Sequence, residues 1–133
     1  MLLIARASRE YIDHTLASWT ATKSLDCFGD EALAGYRAAF AEPLRIHACC
    51  EDYRAGATID RLADEADMAA GQKIAAPLLA LWGEHGIPAE GSKPLEVWRR
   101  WANDARGHGV ACGHFLPEEA PEPTLRALLD FFA

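Results

Sequence analysis

The chain has 133 residues, half of them apolar and a quarter charged, with 13 Lys and Arg against 20 Asp and Glu for a net charge of −7. That length predicts one domain of ordinary soluble composition. The acidic balance argues against nucleic acid or an anionic membrane as a partner, and no apolar run approaches the ~18 residues of a membrane span. Met1-Leu2-Leu3-Ile4-Ala5-Arg6 has a short apolar start but no basic region and no long apolar stretch, so it does not read as a signal peptide. Cys27, Cys49, Cys50 and Cys112 contain no C-x-x-C pair, and adjacent Cys49 and Cys50 do not suit a zinc site. Free thiols of this kind predict a cytoplasmic location.

Ser8 suits the cap of a first helix running to about Thr22, with Ile12, Leu16 and Trp19 on one face. Asp30 suits the cap of a second helix, with Leu33, Tyr36 and Phe40 turned inward. Pro43 fits the first turn of a third helix and Gly56 its C-terminal stop. A fourth, acidic helix covers about Ile59 to Ala70 and ends at Gly71. The character changes at Lys73. The run from Ile74 to Gly83 is continuously apolar and short, which predicts a strand buried on both faces, as in a parallel sheet. A Pro- and Gly-rich loop follows, then a helix marked by Leu95, Trp98 and Ala102, a short strand over Gly107 to Cys112, and a last helix over Ala120 to Phe132. Residues 1–72 thus read as all helix, and 73–133 as strand–helix–strand–helix with one βαβ crossover. Two parallel strands would leave apolar edges unpaired, so an N-terminal portion or a partner chain is expected to supply more strands.

The segment Gly113-His114-Phe115-Leu116-Pro117-Glu118-Glu119-Ala120-Pro121 carries the most information about chemistry. It places a histidine where a strand ends and a helix starts, the position of the catalytic base in α/β-hydrolases. The nucleophile of such enzymes stands on a G-x-S-x-G elbow or its aspartate version. No serine or aspartate of this chain has glycine two residues to each side, so His114 is a base without a nucleophile in these 133 residues.

His47-Ala48-Cys49-Cys50-Glu51-Asp52-Tyr53-Arg54-Ala55-Gly56, then Leu81-Trp82-Gly83, Pro94-Leu95 with Trp98, and the His114 segment together resemble the fluoroacetate (haloacetate) dehalogenases, α/β-hydrolases with a helical cap. The resemblance covers nearly the whole chain, and the Cys50 to Gly56 stretch is its most specific part. It implies an α/β fold: a cap over residues 1–72, joined to the last β-α-β-α segment of the hydrolase core over 73–133. It further implies hydrolytic removal of halide from a small haloacid through an aspartyl ester. His114 matches the base that activates water, Tyr53 a donor to the departing halide, and Trp19 a wall of the pocket, with Ile87 as a further wall. No metal or organic cofactor is implied. In many α/β-hydrolases an aspartate after the penultimate strand orients the base, as W-G-x-x-D; here Trp82-Gly83-Glu84-His85-Gly86 has glycine in its place, which fits the dehalogenases, whose orienting aspartate lies upstream of the cap.

On their residues alone, Tyr53 and Trp19 also read as helix-face packing, His47 and His85 as exposed histidines, and Glu84 as a weak substitute for the orienting acid. The expectation is therefore a truncated, by itself inactive chain that needs a missing N-terminal half or pairs as a homodimer. An epoxide hydrolase-like fragment and a non-catalytic remnant are the alternatives.

Overall fold

The computed structural model describes residues 2–86 and 93–133. Five helices come first: α1 (Leu2–Arg6), α2 (Ser8–Trp19), α3 (Asp30–Ala41), α4 (Pro43–Ala57) and α5 (Ile59–Ala69). They are followed by β1 (Leu78–Gly83), α6 (Pro94–Trp101), β2 (Ala105–Val110), α7 (Leu116–Glu119) and α8 (Pro121–Phe132). Among the described residues no helix is long and apolar enough to cross a membrane.

The helical boundaries follow local chemistry, with departures from expectation at Ser8, Asp30, Gly56 and Thr22. Ser8 is not a cap but the first residue of α2, because the chain turns straight out of α1: Ala7 N–H donates to Ile4 O (3.2 Å) and Ala7 O accepts from Tyr11 N–H (2.9 Å). Asp30 likewise opens the first turn of α3, and Gly29 is the cap residue. A carboxylate there still favours the positive end of the helix dipole. Gly56 does not stop α4, which runs one residue further. Thr58 closes it by donating its hydroxyl to Arg54 O (2.7 Å).

Other signals act as expected. Pro43 starts α4, where its missing N–H is not needed. Gly71 ends α5 in the left-handed region at φ 68°, with Gly71 N–H on Met68 O (3.1 Å) and Gln72 N–H on Asp67 O (2.9 Å). This is the paired pattern of a Schellman stop. Against expectation, α2 ends at Trp19 and not at Thr22, because Thr20, fully buried, takes the turn into its own hydroxyl. That hydroxyl lies 2.9 Å from Ala17 O and accepts Ser24 N–H at 3.1 Å.

β1 and β2 pair in parallel, from Leu78↔Ala105 to Gly83↔Val110. The ladder starts at Leu78 rather than Ile74 because Pro77 has no N–H to offer; Ile74 makes only an isolated bridge to Ala102. Gly107 must be glycine, since a Cβ there would overlap Ala80 O across the strand pair. The last helix is broken at Ala120 (φ −144°), giving the short α7 before α8. Pro121 is the residue after that break, and the residue before proline disfavours helical backbone.

The core centres on Leu16, Phe28 and Leu33, with Ile12, Leu25, Cys27 and Phe115 packed against them. Four segments thus meet there: α2, the turn over 20–29, α3 and the segment after β2. A bidentate ion pair from Arg37 to Asp13 (2.7 and 2.8 Å) ties α3 to α2 beside this core. The guanidinium holds the Asp13 carboxyl below its ordinary value of 3.8.

Candidate active site

The C-terminal ends of both strands converge on one point. After β1, Glu84 N–H donates to Val110 O (2.9 Å) and His85 N–H to Cys112 O (3.0 Å). A Cβ on Gly83 would overlap Gly113 O, so the two strand ends touch backbone to backbone. His114 lies in the loop from β2 to α7, at the strand C-termini, where open α/β sheets carry their sites.

The His114 ring is half-buried and meets Trp19 edge to face, with centroids 5.0 Å apart at 76°. The backbone repeats the contact, as His114 N–H donates to Trp19 O at 2.9 Å. Phe115 joins the same cluster, 5.2 Å from the His114 ring, 6.4 Å from Trp19 and 5.2 Å from Phe28. It carries the loop down into the core. A hollow of about 420 Å³ opens beside the imidazole along β1, between Trp82, Gly83, Trp98, His114 and Leu116.

One carboxylate organises the loop. Glu119 Oε2 accepts Gly113 N–H (2.9 Å) and Ala21 N–H (2.8 Å), and Oε1 accepts Phe115 N–H (3.0 Å). The neighbouring Glu118 accepts the Tyr36 hydroxyl at 2.6 Å, which pushes that phenol above its ordinary value because the bond favours the protonated form. Burial pushes the Cys112 thiol up, and the Glu119 charge adds to it; Cys27 is raised by the same two causes in the same order. Neither thiol is primed as a nucleophile.

The sequence-derived site residues are therefore distributed unevenly. His114 and Trp19 are in contact. Tyr53 stands on α4 with 68% of its surface exposed. Ile87 lies outside the described residues. Glu84 is exposed, and its side chain lies against Gly109. Among the described residues the histidine–carboxylate pair is His47–Glu51, 3.8 Å apart, and not one at His114. Also among the described residues, no three His, Cys, Asp or Glu side chains converge to hold a metal ion. Glu119 went unassigned in the sequence, although its place five residues after His114 was the available signal.

No family model matches the chain. It is 32% identical over 123 residues to a fluoroacetate dehalogenase from Burkholderia sp., covering 92% of this chain and 40% of that protein. It is 30% identical over 134 residues to a soluble epoxide hydrolase from Corynebacterium sp. strain C12, covering 98% of this chain and 44% of that one. Among solved structures, a provisionally assigned α/β-hydrolase from Nostoc sp. PCC 7120 superposes with a TM-score of 0.92 at 46% identity, covering 99% of this chain and 44% of that one. The chain spans about two fifths of the length of the curated relatives it matches.

Proposed function

Because this chain belongs to the α/β-hydrolases, we propose that it is the cap and base-bearing part of a hydrolytic dehalogenase for small 2-haloacids such as fluoroacetate or chloroacetate. The observation that carries the reading is His114, held at the strand C-termini against Trp19 beside an open hollow. A carboxylate nucleophile, supplied from outside these 133 residues, attacks the carbon that bears halogen. The carbon–halogen bond breaks, halide leaves with the bonding pair, and an aspartyl ester remains. His114 takes a proton from water, and the hydroxide attacks the ester carbonyl; the ester C–O bond breaks, the departing alkoxide takes the proton back from His114 to leave as the hydroxyacid, and the carboxylic acid so formed loses its proton to solvent, which restores the carboxylate. Splitting one hard displacement into two steps is covalent catalysis. Trp19 walls the pocket and orients the imidazole. Tyr53 donates its hydroxyl to the departing halide, where a fixed donor meets charge that develops only in the transition state. For Tyr53 to do so, a face of α4 that is exposed in the described structure has to line the completed pocket.

The substrate partner is a small haloacid. The protein partner is an N-terminal hydrolase half or a second copy. The four free thiols fit a reducing cytoplasm. The 30% identity to a soluble epoxide hydrolase favours epoxide opening as the second reading.

The test joins the chain to the nucleophile-bearing half of a related hydrolase and measures halide release and epoxide-to-diol conversion side by side. His114→Ala is expected to lower halide release by about 10²–10⁴-fold. Tyr53→Phe is expected to lower kcat and kcat/KM together, more on fluoroacetate than on chloroacetate. Diol formation without halide release retires the dehalogenase reading. Equal fluoroacetate rates for Tyr53→Phe and its parent leave the tyrosine without a halide role.

A further inference from the structure

We propose that Glu119 is the positioning residue of His114, a carboxylate clamp that fastens the base loop and the Trp19–Ala21 turn to each other. The clamp is a matter of geometry; its link to catalysis rests on the reading of His114 as the base. The two oxygens of Glu119 collect the amides on either side of His114, those of Gly113 and Phe115, and with Ala21 the amide of the segment that carries Trp19. His114 N–H completes the ring of bonds on Trp19 O. The backbone on both sides of His114 and the turn after Trp19 are thus tied to one side chain by charge-assisted bonds.

The chemistry requires a carboxylate. Three N–H donors point at two oxygens, so each oxygen must accept. A glutamine offers one accepting oxygen and an amino group that opposes the remaining donor or donors. An aspartate is one methylene shorter, which withdraws both oxygens from the three amides. The approach is also close enough to exclude a side chain at 113: a Cβ there would overlap Ala21 N and stand 2.6 Å from both Thr20 C and Glu119 Oε1. Glu118 adds a parallel tie through Tyr36 to α3, but it touches no amide of the base loop.

Nuclear magnetic resonance on the 133-residue chain tests this without any assay of activity. In the unmodified protein, through-hydrogen-bond couplings from the Ala21, Gly113 and Phe115 amides to the Glu119 carboxyl carbon are expected. Their absence overturns the clamp, and this measurement stands even if the variants fold poorly. In Glu119→Gln, amide exchange at 21, 113 and 115 is expected to rise about tenfold or more, because charge-assisted bonds are lost. The imidazole proton shifts that Trp19 imposes on His114 should change with it. Unchanged exchange and shifts overturn the proposal.

Thr124→Val is the control for a merely structural effect, since it removes hydroxyl bonds to Leu116 O and Ala120 O in the adjoining helices and leaves the clamp untouched. If it moves the His114 shifts as much as Glu119→Gln does, Glu119 acts through general stability and the proposal fails. In the joined enzyme, Glu119→Gln should lower kcat by about tenfold to a hundredfold with KM little changed, because a misplaced group costs rate rather than binding. A joined parent that releases no halide sinks the dehalogenase reading alone; the clamp is then still decided by the couplings and exchange.

Discussion

Around Phe115 the side chains of α2, α3 and the base loop interlock, whereas α5 and α8 leave theirs in solvent. Leu16, Phe28 and Leu33 are 6–9% exposed. Leu62 on α5 is 60% exposed, and on α8 Leu125, Leu129 and Phe132 are 58%, 62% and 79% exposed. The exposed set has full helical spacing, with Leu125, Leu128, Leu129 and Phe132 at i, i+3, i+4 and i+7, just as Ile12, Leu16 and Trp19 on α2 fall at i, i+4 and i+7. The difference shows that an amphipathic pattern specifies a face but not what covers it. Burial is achieved where the 112–119 segment closes over two helices and the turn between them. That segment is also where the candidate site stands, so the site shares its rigidity with the core.

Truncation of Phe28 tests the comparison most severely. Phe28→Ala should cost about 3–5 kcal/mol in denaturant unfolding, because it opens a cavity under Phe115 and Tyr36. Leu62→Ala should stay within about 0.5 kcal/mol. Similar losses at the two sites would mean that α5 is covered in solution.

A glycine pair gives a smaller effect of opposite signs. Gly113→Ala should destabilise by about 1–3 kcal/mol, since the added Cβ meets backbone that cannot yield. Gly35→Ala, in the exposed middle of α3 with nothing within 4 Å, should stabilise by about 0.5–1 kcal/mol. A neutral Gly113→Ala would show that the junction of strand ends and turn is looser than drawn.

The least effect comes from acid. Arg37 lowers the Asp13 carboxyl below its ordinary 3.8, so the pair stabilises the fold above that value and its contribution is lost as pH falls through the lower, folded-state pKa. Urea midpoints of the parent should therefore exceed those of Asp13→Asn at neutral pH and converge with them in strong acid. A gap that persists in acid would assign the effect to packing instead of charge.

Local chemistry explains what could be read before the fold was known. The run from Ile74 to Gly83 and the segment Gly107 to Cys112 predict a strand pair with a histidine at its C-terminal end, because short apolar runs bounded by glycine favour strands; β2 in fact lies two residues earlier, over Ala105–Val110. Gly71 and Pro43 mark helix ends correctly, since each acts through its own backbone. Ser8, Asp30 and Gly56 mislead because another residue takes the terminus that each one suits; Gly29 caps α3 in place of Asp30. Ser8 loses the cap because α1 runs directly into α2. Gly56 loses the stop because the Thr58 hydroxyl closes the helix two residues later.

The sequence by itself determined the helical and strand segments other than α1 and α7, the α/β class, the strand-to-helix position of His114 and the lack of a nucleophile elbow in these residues. Those follow from interactions within a few residues of each other. Only the tertiary structure decided that Trp19 packs on His114 and that Tyr53 is exposed. It alone joined Glu119 to Ala21, 98 residues away. A carboxylate's acceptors can serve any amide within reach, and nothing local to Glu119 says which ones folding will bring there.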